Sequence, residues 1–480
     1  REESSSSTNA KPEKPLRALR AAIRNQQWQR AWELSDAVRI EHPDDAELTA
    51  TLARVAHENG QPEDAADLLV EACRMESFAK GSRVLQAMIA MIGVGRLHEG
   101  MEMLEEALRQ QPQQHETRRW LYDFYMGTEN RLAGIPHGRF LVRERQFDLA
   151  LLLTLSNTER RTQDADPLDE MTSRNPDDKR PLLGTAKAQF DDGEYEKSIE
   201  TLEAIVDAHH NYLPAQALLG RALAAAGRYE ELEQWASAQN AQIEAYVDYW
   251  IGIGDWARAK QQTAAAARAY WEATRRDPDV MESWSKLSTA LEQLPPEESM
   301  LSAESLERIK GRVNQLSTFN QLKSRFERTG SFSRAVAVDI AEALCRLGRL
   351  WEAEAWAAIA MTLPEDDAVQ TQQKRDEIVA QLSAHTPWQL TDSHPELRLD
   401  LASLEMPAIG ALATSSFPDA SPRPADSAVE IAKLRLINEA TERGLTFFGR
   451  TGDKLDQAGI MLYQTLGCGG GTIDFDLDGW

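Results

Sequence analysis

Residues 249–279, YWIGIGDWARAKQQTAAAARAYWEATRRDPD, contain two helix-like segments with a polar stretch between them. Apolar and small residues recur every three or four positions in each segment, which is typical of amphipathic helices. Gly254, Ala266 and Ala273 are small enough to let two helices cross closely, and Pro278 cannot continue the second helix. This stretch therefore predicts an antiparallel pair of helices.

The same pattern returns every 34 residues when Val247 is counted as position 1. The signature positions are those at which similar residues recur. In the unit that begins at Val247, here called the central repeat, they hold Trp250, Ile253, Gly254, Ala257, Ala266, Tyr270, Ala273 and Pro278. One period later they hold Trp284, Leu287 and Ser288; one period earlier, Leu219, Gly220 and Gly227; two periods earlier, Leu182, Ala186, Gly193 and Leu202. Four registers in phase indicate a true repeat.

The pattern resembles the tetratricopeptide repeat, a pair of antiparallel helices. Matching units also occur near the start of the chain, for example around Gly60 and Gly95, and late in the chain around Gly348. Each unit leaves an apolar face that only a neighbouring unit can cover, so the units should stack. We predict an all-α fold, a tetratricopeptide-type α-solenoid over residues 12–384, with a short C-terminal β segment.

Composition limits the possible functions. The chain has 480 residues and a formal net charge of -24, which argues against nucleic acid or an anionic membrane surface as the main partner. No apolar run approaches the roughly 18 residues needed to span a bilayer. The three cysteines lie far apart, which excludes a disulfide framework. Since the first residue is Arg1, we expect that a leader was removed or trimmed.

Both ends of the chain differ in composition from the repeats. We expect residues 1–11 to be a disordered tail. Several prolines follow Ala384, and TSSFPDASPRPADS is rich in proline and serine, so we predict a linker over residues 385–428. Within it, LRLDLASL (residues 397–404) alternates like a β-strand.

The last residues, QTLGCGGGTIDFDLDGW, place Asp474, Asp476 and Asp478 at alternate positions before Gly479. Together with INEATERGLTFF, this resembles the opening of an FG-GAP/VCBS-type β-propeller of the ASPIC/UnbV-associated bacterial family, in which tetratricopeptide repeats often precede the propeller. The resemblance implies that residues 429–480 begin a propeller, that the three aspartates are calcium ligands, and that the protein is extracytoplasmic.

A complete calcium loop needs a later carboxylate, because calcium takes six to eight oxygen ligands. We therefore expect the chain to be the front of a longer protein that binds calcium when intact, and we expect no cofactor in this chain by itself. The alternative for the three aspartates is a solvated acidic tail.

The sequence contains no recognisable catalytic arrangement of serine, cysteine and histidine and no glycine-rich dinucleotide turn, so we predict that the chain is not an enzyme. The predicted function is a protein-binding scaffold that takes a protein or peptide, without nucleic acid or a membrane span. The alternative is a targeting arm for an extracytoplasmic enzyme whose catalytic domain lies beyond residue 480.

In tetratricopeptide repeats the first helix of each pair lines the inner surface. That register places a basic and aromatic set on the inner surface of this chain: Arg180, Lys187, Phe190, Arg221 and Arg258. One hypothesis is that the cations capture an acidic or C-terminal carboxylate peptide, with Phe190 as an apolar anchor. The other is that they pair with nearby acidic residues and keep the surface soluble.

The tryptophans of the central repeat and of the unit after it divide in the same way. Trp250 and Trp284 occupy signature positions, which predicts core packing. Trp256 and Trp271 do not, so core packing and exposed contact both remain open for them.

Overall fold

The computed structural model describes residues 15–157, 171–295, 301–364 and 370–409. These residues form α-helices and short 3-10 turns without a β-strand, and successive helices pack as pairs. The fold is a tetratricopeptide-type α-solenoid, which confirms the predicted class. The expected β segment and propeller start (429–480) and the expected tail (1–11) lie outside the described residues.

The first ten helices form the N-terminal part of the solenoid. They are α1 (Pro15–Arg24), α2 (Trp28–Glu33), α3 (Ser35–Glu41), α4 (Ala46–Glu58), α5 (Pro62–Met75), α6 (Gly81–Gly93), α7 (Leu97–Gln110), α8 (His115–Gly127), α9 (Arg131–Arg143) and α10 (Leu149–Ser156).

The next helices form the central and late pairs. They are α11 (Leu183–Asp191), α12 (Tyr195–Ala208), α13 (Leu213–Ala225), α14 (Tyr229–Ser237), α15 (Val247–Ala259), α16 (Thr263–Arg276), α17 (Met281–Glu292), α18 (Ala303–Arg328), α19 (Arg334–Arg346), α20 (Leu350–Ala360) and α21 (Thr371–Val379). Turns of the 3-10 type lie at Arg180–Leu182, Ala241–Ala245 and Pro395–Arg398.

Glycine at the eighth position of a unit allows the two helices of a pair to touch. A Cβ atom added to Gly254 in α15 would lie 2.4 Å from Cε1 of Tyr270 in α16. In the preceding pair, a Cβ atom on Gly220 would lie 2.3 Å from Cη2 of Trp235. Real Cβ atoms do not approach other atoms so closely, so the aromatic ring of the second helix needs glycine opposite it.

Glycine also occupies the turn between the two helices in several pairs. Gly193 and Gly227 have φ angles of 78° and 74°, in the left-handed region that glycine enters without steric cost. The equivalent position of the central unit is Gln261, which adopts φ 61° without being glycine. The turn geometry is thus common to these units even where the residue changes.

The tryptophans of the central repeat and of the unit after it all lie in the core. Trp250 and Trp284 are buried, as predicted. Trp256 and Trp271 are buried as well, so the exposed-contact alternative for them is wrong. The indole of Trp256 donates to Glu233 and that of Trp271 to the carbonyl of Leu399, which satisfies each polar group inside the protein.

The solenoid also makes a contact between units that are distant in sequence. Helix α10 packs against α20, and the hydroxyl of Ser156 donates to the buried carboxylate of Glu352 at 2.7 Å. Lys323 in α18 donates to the carbonyl of Ser156, and Arg131 in α9 donates to the carbonyl of Leu155 at 2.8 Å. We call this contact the closure, because it joins the middle of the solenoid to its late units.

The packed structure continues past the predicted domain end at residue 384. Trp388, Leu401 and Leu404 are buried against the late helices, so residues 385–409 are not a free linker. Residues 397–404 do not form the strand that their alternation suggests, since Pro395–Arg398 is a 3-10 turn. The prolines prevent a helix, but they do not prevent apolar side chains from packing. The rest of the predicted linker, 410–428, lies outside the described residues.

We predict that Gly254→Ala destabilises the protein by about 1–3 kcal/mol, because the added methyl group collides with the ring of Tyr270. Urea denaturation followed by circular dichroism measures the change. Gly81→Ala is the control, since a Cβ atom there would meet no other atom within 4 Å. Equal stabilities of the two variants would contradict the close-packing argument.

We predict that Ser156→Ala lowers the free energy of unfolding by about 1–3 kcal/mol, because the buried Glu352 loses a hydrogen-bond donor. Thr154→Ala on the same helix is the matched control, since its hydroxyl bonds to the carbonyl of Ala150 within α10. A variant at Ser156 no less stable than the one at Thr154 would show that the closure contributes little.

Candidate functional site

Lys187, Phe190 and Arg221 are brought together on neighbouring first helices, as the repeat register predicts. The Nζ atom of Lys187 lies 5.8 Å from the centroid of the Phe190 ring, and the Cζ atom of Arg221 lies 4.9 Å from it. Both distances are in the range of cation–π contacts. Phe190 is half-buried and its ring also packs on Tyr195. These three residues form a single cluster.

Arg180 and Arg258 lie away from that cluster. Arg180, in the 3-10 turn before α11, donates from Nε and Nη2 to the two carboxylate oxygens of Asp178 at 2.9 and 3.0 Å. Arg258 is largely exposed at the end of α15, with Asp255 at 3.7 Å. The structure thus assembles three of the five predicted residues, and the role of the set as a groove stays a prediction.

A cavity of about 370 Å³ lies beside the cluster, and we call it the inner cavity. Helices α9, α11, α13 and α15 and the turns after α14 and α16 contribute to its walls. Its apolar lining includes Leu132, Ile135, Leu183, Pro214, Leu218, Val247 and Val280. Its charged lining consists of Arg131, Lys187, Arg221, Arg276, Glu129, Asp191, Asp248, Asp277 and Glu282.

The cations of the inner cavity are paired with acidic side chains. Lys187 contacts Asp191 one turn along α11, and Arg221 contacts both Asp248 and Glu282. Burial favours the neutral form of Arg221, but the two carboxylates outweigh it and raise the pKa of the guanidinium. The cavity is therefore lined by ion pairs rather than by an excess of positive charge.

Repeat periodicity did not predict the α9 wall of the cavity. Leu132 and Ile135 belong to residues 115–178, which match the repeat poorly, yet both line the cavity. Helix α9 also packs against α20. Asp277 lies opposite Arg131, with 3.7 Å between the carboxylate and Nε. Burial, together with the nearby Asp279, raises the pKa of Asp277. No signal in the sequence places α9 beside residue 277.

Asp178, the partner of Arg180, also joins two blocks of helices. Its carboxylate lies 3.5 Å from Nδ1 of His98 in α7 and 3.4 Å from Nε2 of His209 at the end of α12. Burial favours the protonated carboxyl, but His98 and Arg180 outweigh it and lower the pKa of Asp178. Burial lowers the pKa of His98, and Asp178 opposes this less strongly. The described residues contain no group of three or more histidine, cysteine or acidic side chains arranged to hold a metal ion.

The comparisons with known proteins agree with this fold. The sequence model of the family described as tetratricopeptide repeat matches residues 174–241, which contain α11 to α14. No match was found among curated proteins. Within the described residues, none of the helices is both long and apolar enough to cross a membrane.

Several solved structures are similar to this chain at low identity. The crystal structure of yeast Tom70 is 9% identical, with a TM-score of 0.24, and the match covers 77% of this chain and 90% of that one. The TPR domain of P58(IPK) is 12% identical, with a TM-score of 0.23 and coverage of 77% and 98%. The APC/C hetero-tetramer Cut9-Hcn1 is 14% identical, with a TM-score of 0.27 and coverage of 76% and 79%. A tetratricopeptide-type fold suggests a scaffold for protein–protein interaction.

We predict that acidification weakens the wild-type protein through His98. Its folded-state pKa lies below the ordinary 6.5, so the unfolded chain takes up a proton that the folded chain excludes. The stability that depends on a neutral His98 is therefore fully present above pH 6.5. It is lost as the pH falls through the lower pKa of the folded state.

The test compares the urea midpoints of wild type and His98→Phe at about pH 7.5 and about pH 5.5. The phenyl ring keeps the packing against Tyr212 and cannot titrate, so the variant should lose less stability over this interval. His57→Phe, at an exposed position of α4, controls for the change of side chain. Identical losses in all three proteins would contradict the assignment to His98.

Proposed function

We propose that the protein is a non-enzymatic protein-binding scaffold whose inner cavity receives the end of a peptide. The observation that carries this proposal is the inner cavity itself, which combines apolar walls with charged side chains, among them Lys187 and Arg221. Concave sites with apolar walls and a few polar groups are typical of ligand pockets. The proposed ligand is a peptide that offers an acidic or C-terminal carboxylate next to an apolar side chain.

Lys187 is the cation that a ligand carboxylate recruits at the lowest cost. Its partner Asp191 lies one turn along the same helix, and such pairs contribute only about 0.2–0.5 kcal/mol. Arg221 is different, because two acidic side chains from other helices hold it in place. In this proposal Lys187 contacts the ligand, while Arg221 positions Phe190 and the surrounding acidic residues.

The apolar part of the ligand contacts α9 and α13. Leu132 of α9 lines the inner cavity and is 42% exposed, although it is a large aliphatic residue. Leu218 of α13 lines the same cavity. A ligand side chain between them would cover Leu132, which removes apolar area from water and supports binding.

Calcium binding by Asp474, Asp476 and Asp478 and an extracytoplasmic location are part of the proposal. They are supported by the resemblance of the C-terminal sequence to the propeller family. Those residues lie outside the described part of the chain.

We predict that Lys187→Gln weakens binding of a peptide carboxylate about tenfold or more, since a hydrogen bond to a charged group contributes about 1.5–3 kcal/mol. The probes are fluorescein-labelled acidic octapeptides that end in leucine, one with a free C-terminal carboxylate and one with an amide. Fluorescence anisotropy gives the two dissociation constants, and the free acid should bind more tightly to wild type.

Lys197→Gln is the matched control, because Lys197 is exposed on α12 and pairs with Glu194 outside the cavity. The assignment fails if the variants at Lys187 and Lys197 bind the free acid equally well. Absence of peptide binding by wild type would remove the inner cavity as a peptide site.

A further inference from the structure

A second part of the chain already holds a peptide-like segment. Residues 386–404, here called the strap, run from the start of α20 across the late helices to α16. Trp388, Leu401 and Leu404 of the strap are buried in the same apolar cluster as the late helices. The strap therefore lies on the solenoid as an irregular segment with short turns rather than as another helix pair.

Side chains of the solenoid donate hydrogen bonds to backbone carbonyl groups of the strap. The indole of Trp351 donates to the carbonyl of Thr386 at 2.9 Å, and that of Trp271 donates to the carbonyl of Leu399 at 3.0 Å. Arg268 donates to the carbonyl of Ala402 at 2.6 Å. Contacts of this kind recognise the backbone of a bound segment, whatever its side chains are.

At the end of α19 the roles are reversed: carbonyl groups of the solenoid accept hydrogen bonds from the strap. The carbonyl of Gly348 accepts from the backbone amide of Leu390 at 2.9 Å. The carbonyl of Leu347 accepts from the side-chain amide of Gln389 at 2.7 Å. A Cβ atom on Gly348 would lie 2.6 Å from His394. Glycine at this turn thus permits the strap to approach the helix end.

Two of these donors, Arg268 and Trp271, are held by contacts within the solenoid. Arg268 donates to the buried carboxylate of Glu272 at 3.0 Å, and its guanidinium lies 5.1 Å from the centroid of the Trp271 ring. Both residues belong to α16, so the helix sets their spacing. A surface arranged in this way before the strap arrives loses little side-chain freedom on binding.

The strap has little structure of its own. Its internal backbone bonds belong to short turns, such as those from Leu397 to His394 and from Leu404 to Leu401. Segments whose conformation depends on their surroundings open locally at lower free energy than packed helices. The strap therefore resembles a bound peptide more than it resembles a further repeat.

We propose that the surface formed by Arg268, Trp271, Trp351 and the end of α19 is a peptide-docking surface, distinct from the inner cavity, and that the strap is its resident ligand. The partner that fits it is a non-helical peptide that offers backbone carbonyls to α16 and two aliphatic side chains at the spacing of Leu401 and Leu404. The strap and such a partner compete for the surface.

The experiment uses the full chain and a fluorescein-labelled peptide with the sequence of residues 385–409. Wild type should not bind the peptide at micromolar concentration, because a tethered strap has an effective concentration of about 1 mM. A chain with Leu401→Asp and Leu404→Asp releases its strap and should bind the peptide with at least a tenfold lower dissociation constant than wild type.

Two controls assign the binding to this surface. A peptide carrying Leu401→Asp and Leu404→Asp should not bind the released chain, and Trp271→Phe in that chain should weaken binding, because the ring remains but the donor to the Leu399 carbonyl is lost. Failure of a released chain with wild-type helical circular dichroism to bind the wild-type peptide would overturn the proposal and leave the strap as a fixed cap.

Hydrogen exchange of the wild-type chain gives a test that needs no substitution. The amide of Leu390, which donates to the carbonyl of Gly348, should exchange faster than buried amides of α19, because the strap opens without unfolding the solenoid. Exchange of Leu390 only through global unfolding, as slow as that of the α19 amides, would equally overturn the proposal.

Discussion

The close contact between the two helices of a pair is the constraint on which the rest of the structure depends. Gly220 lies against the ring of Trp235 and Gly254 against that of Tyr270, with no room for even a methyl group. This proximity leaves each pair with an apolar face that the next pair covers, so the helices stack in sequence order. The stacking then brings the first helices of successive pairs side by side, which is how Lys187, Phe190 and Arg221 come to form one cluster.

The closure adds a second constraint, which simple repeat arrays lack. Units of such arrays contact only their neighbours, whereas here α10 joins α18 and α20 through Ser156, Lys323 and Glu352. A buried carboxylate that loses its donors is costly, so these contacts favour one arrangement of the late units. Helix α9, whose Arg131 donates to the carbonyl of Leu155 in α10, contributes Leu132 to the inner cavity.

The two candidate binding surfaces use different chemistry. The inner cavity presents charged side chains that are already paired, so a ligand must replace an existing partner, and Lys187 pairs with a carboxylate of its own helix. The surface under the strap presents indole and guanidinium donors to backbone carbonyls, and its apolar sites take Leu401 and Leu404. The first surface therefore selects for charge, and the second selects for accessible backbone carbonyls next to apolar side chains. A scaffold with both can hold two segments independently.

The sequence by itself determined the helix pairs, their order and the proximity of Lys187, Phe190 and Arg221, because these depend on periodicity and on glycine at fixed positions. It also placed Trp250 and Trp284 in the core. Only the tertiary structure decided that Asp248 and Glu282 pair with Arg221, that α9 forms a wall of the cavity, and that Trp271 is buried under the strap. The physical reason is the range of the interactions: helix pairing is encoded within about one repeat, whereas the closure and the strap join residues that are far apart in the chain and share no period.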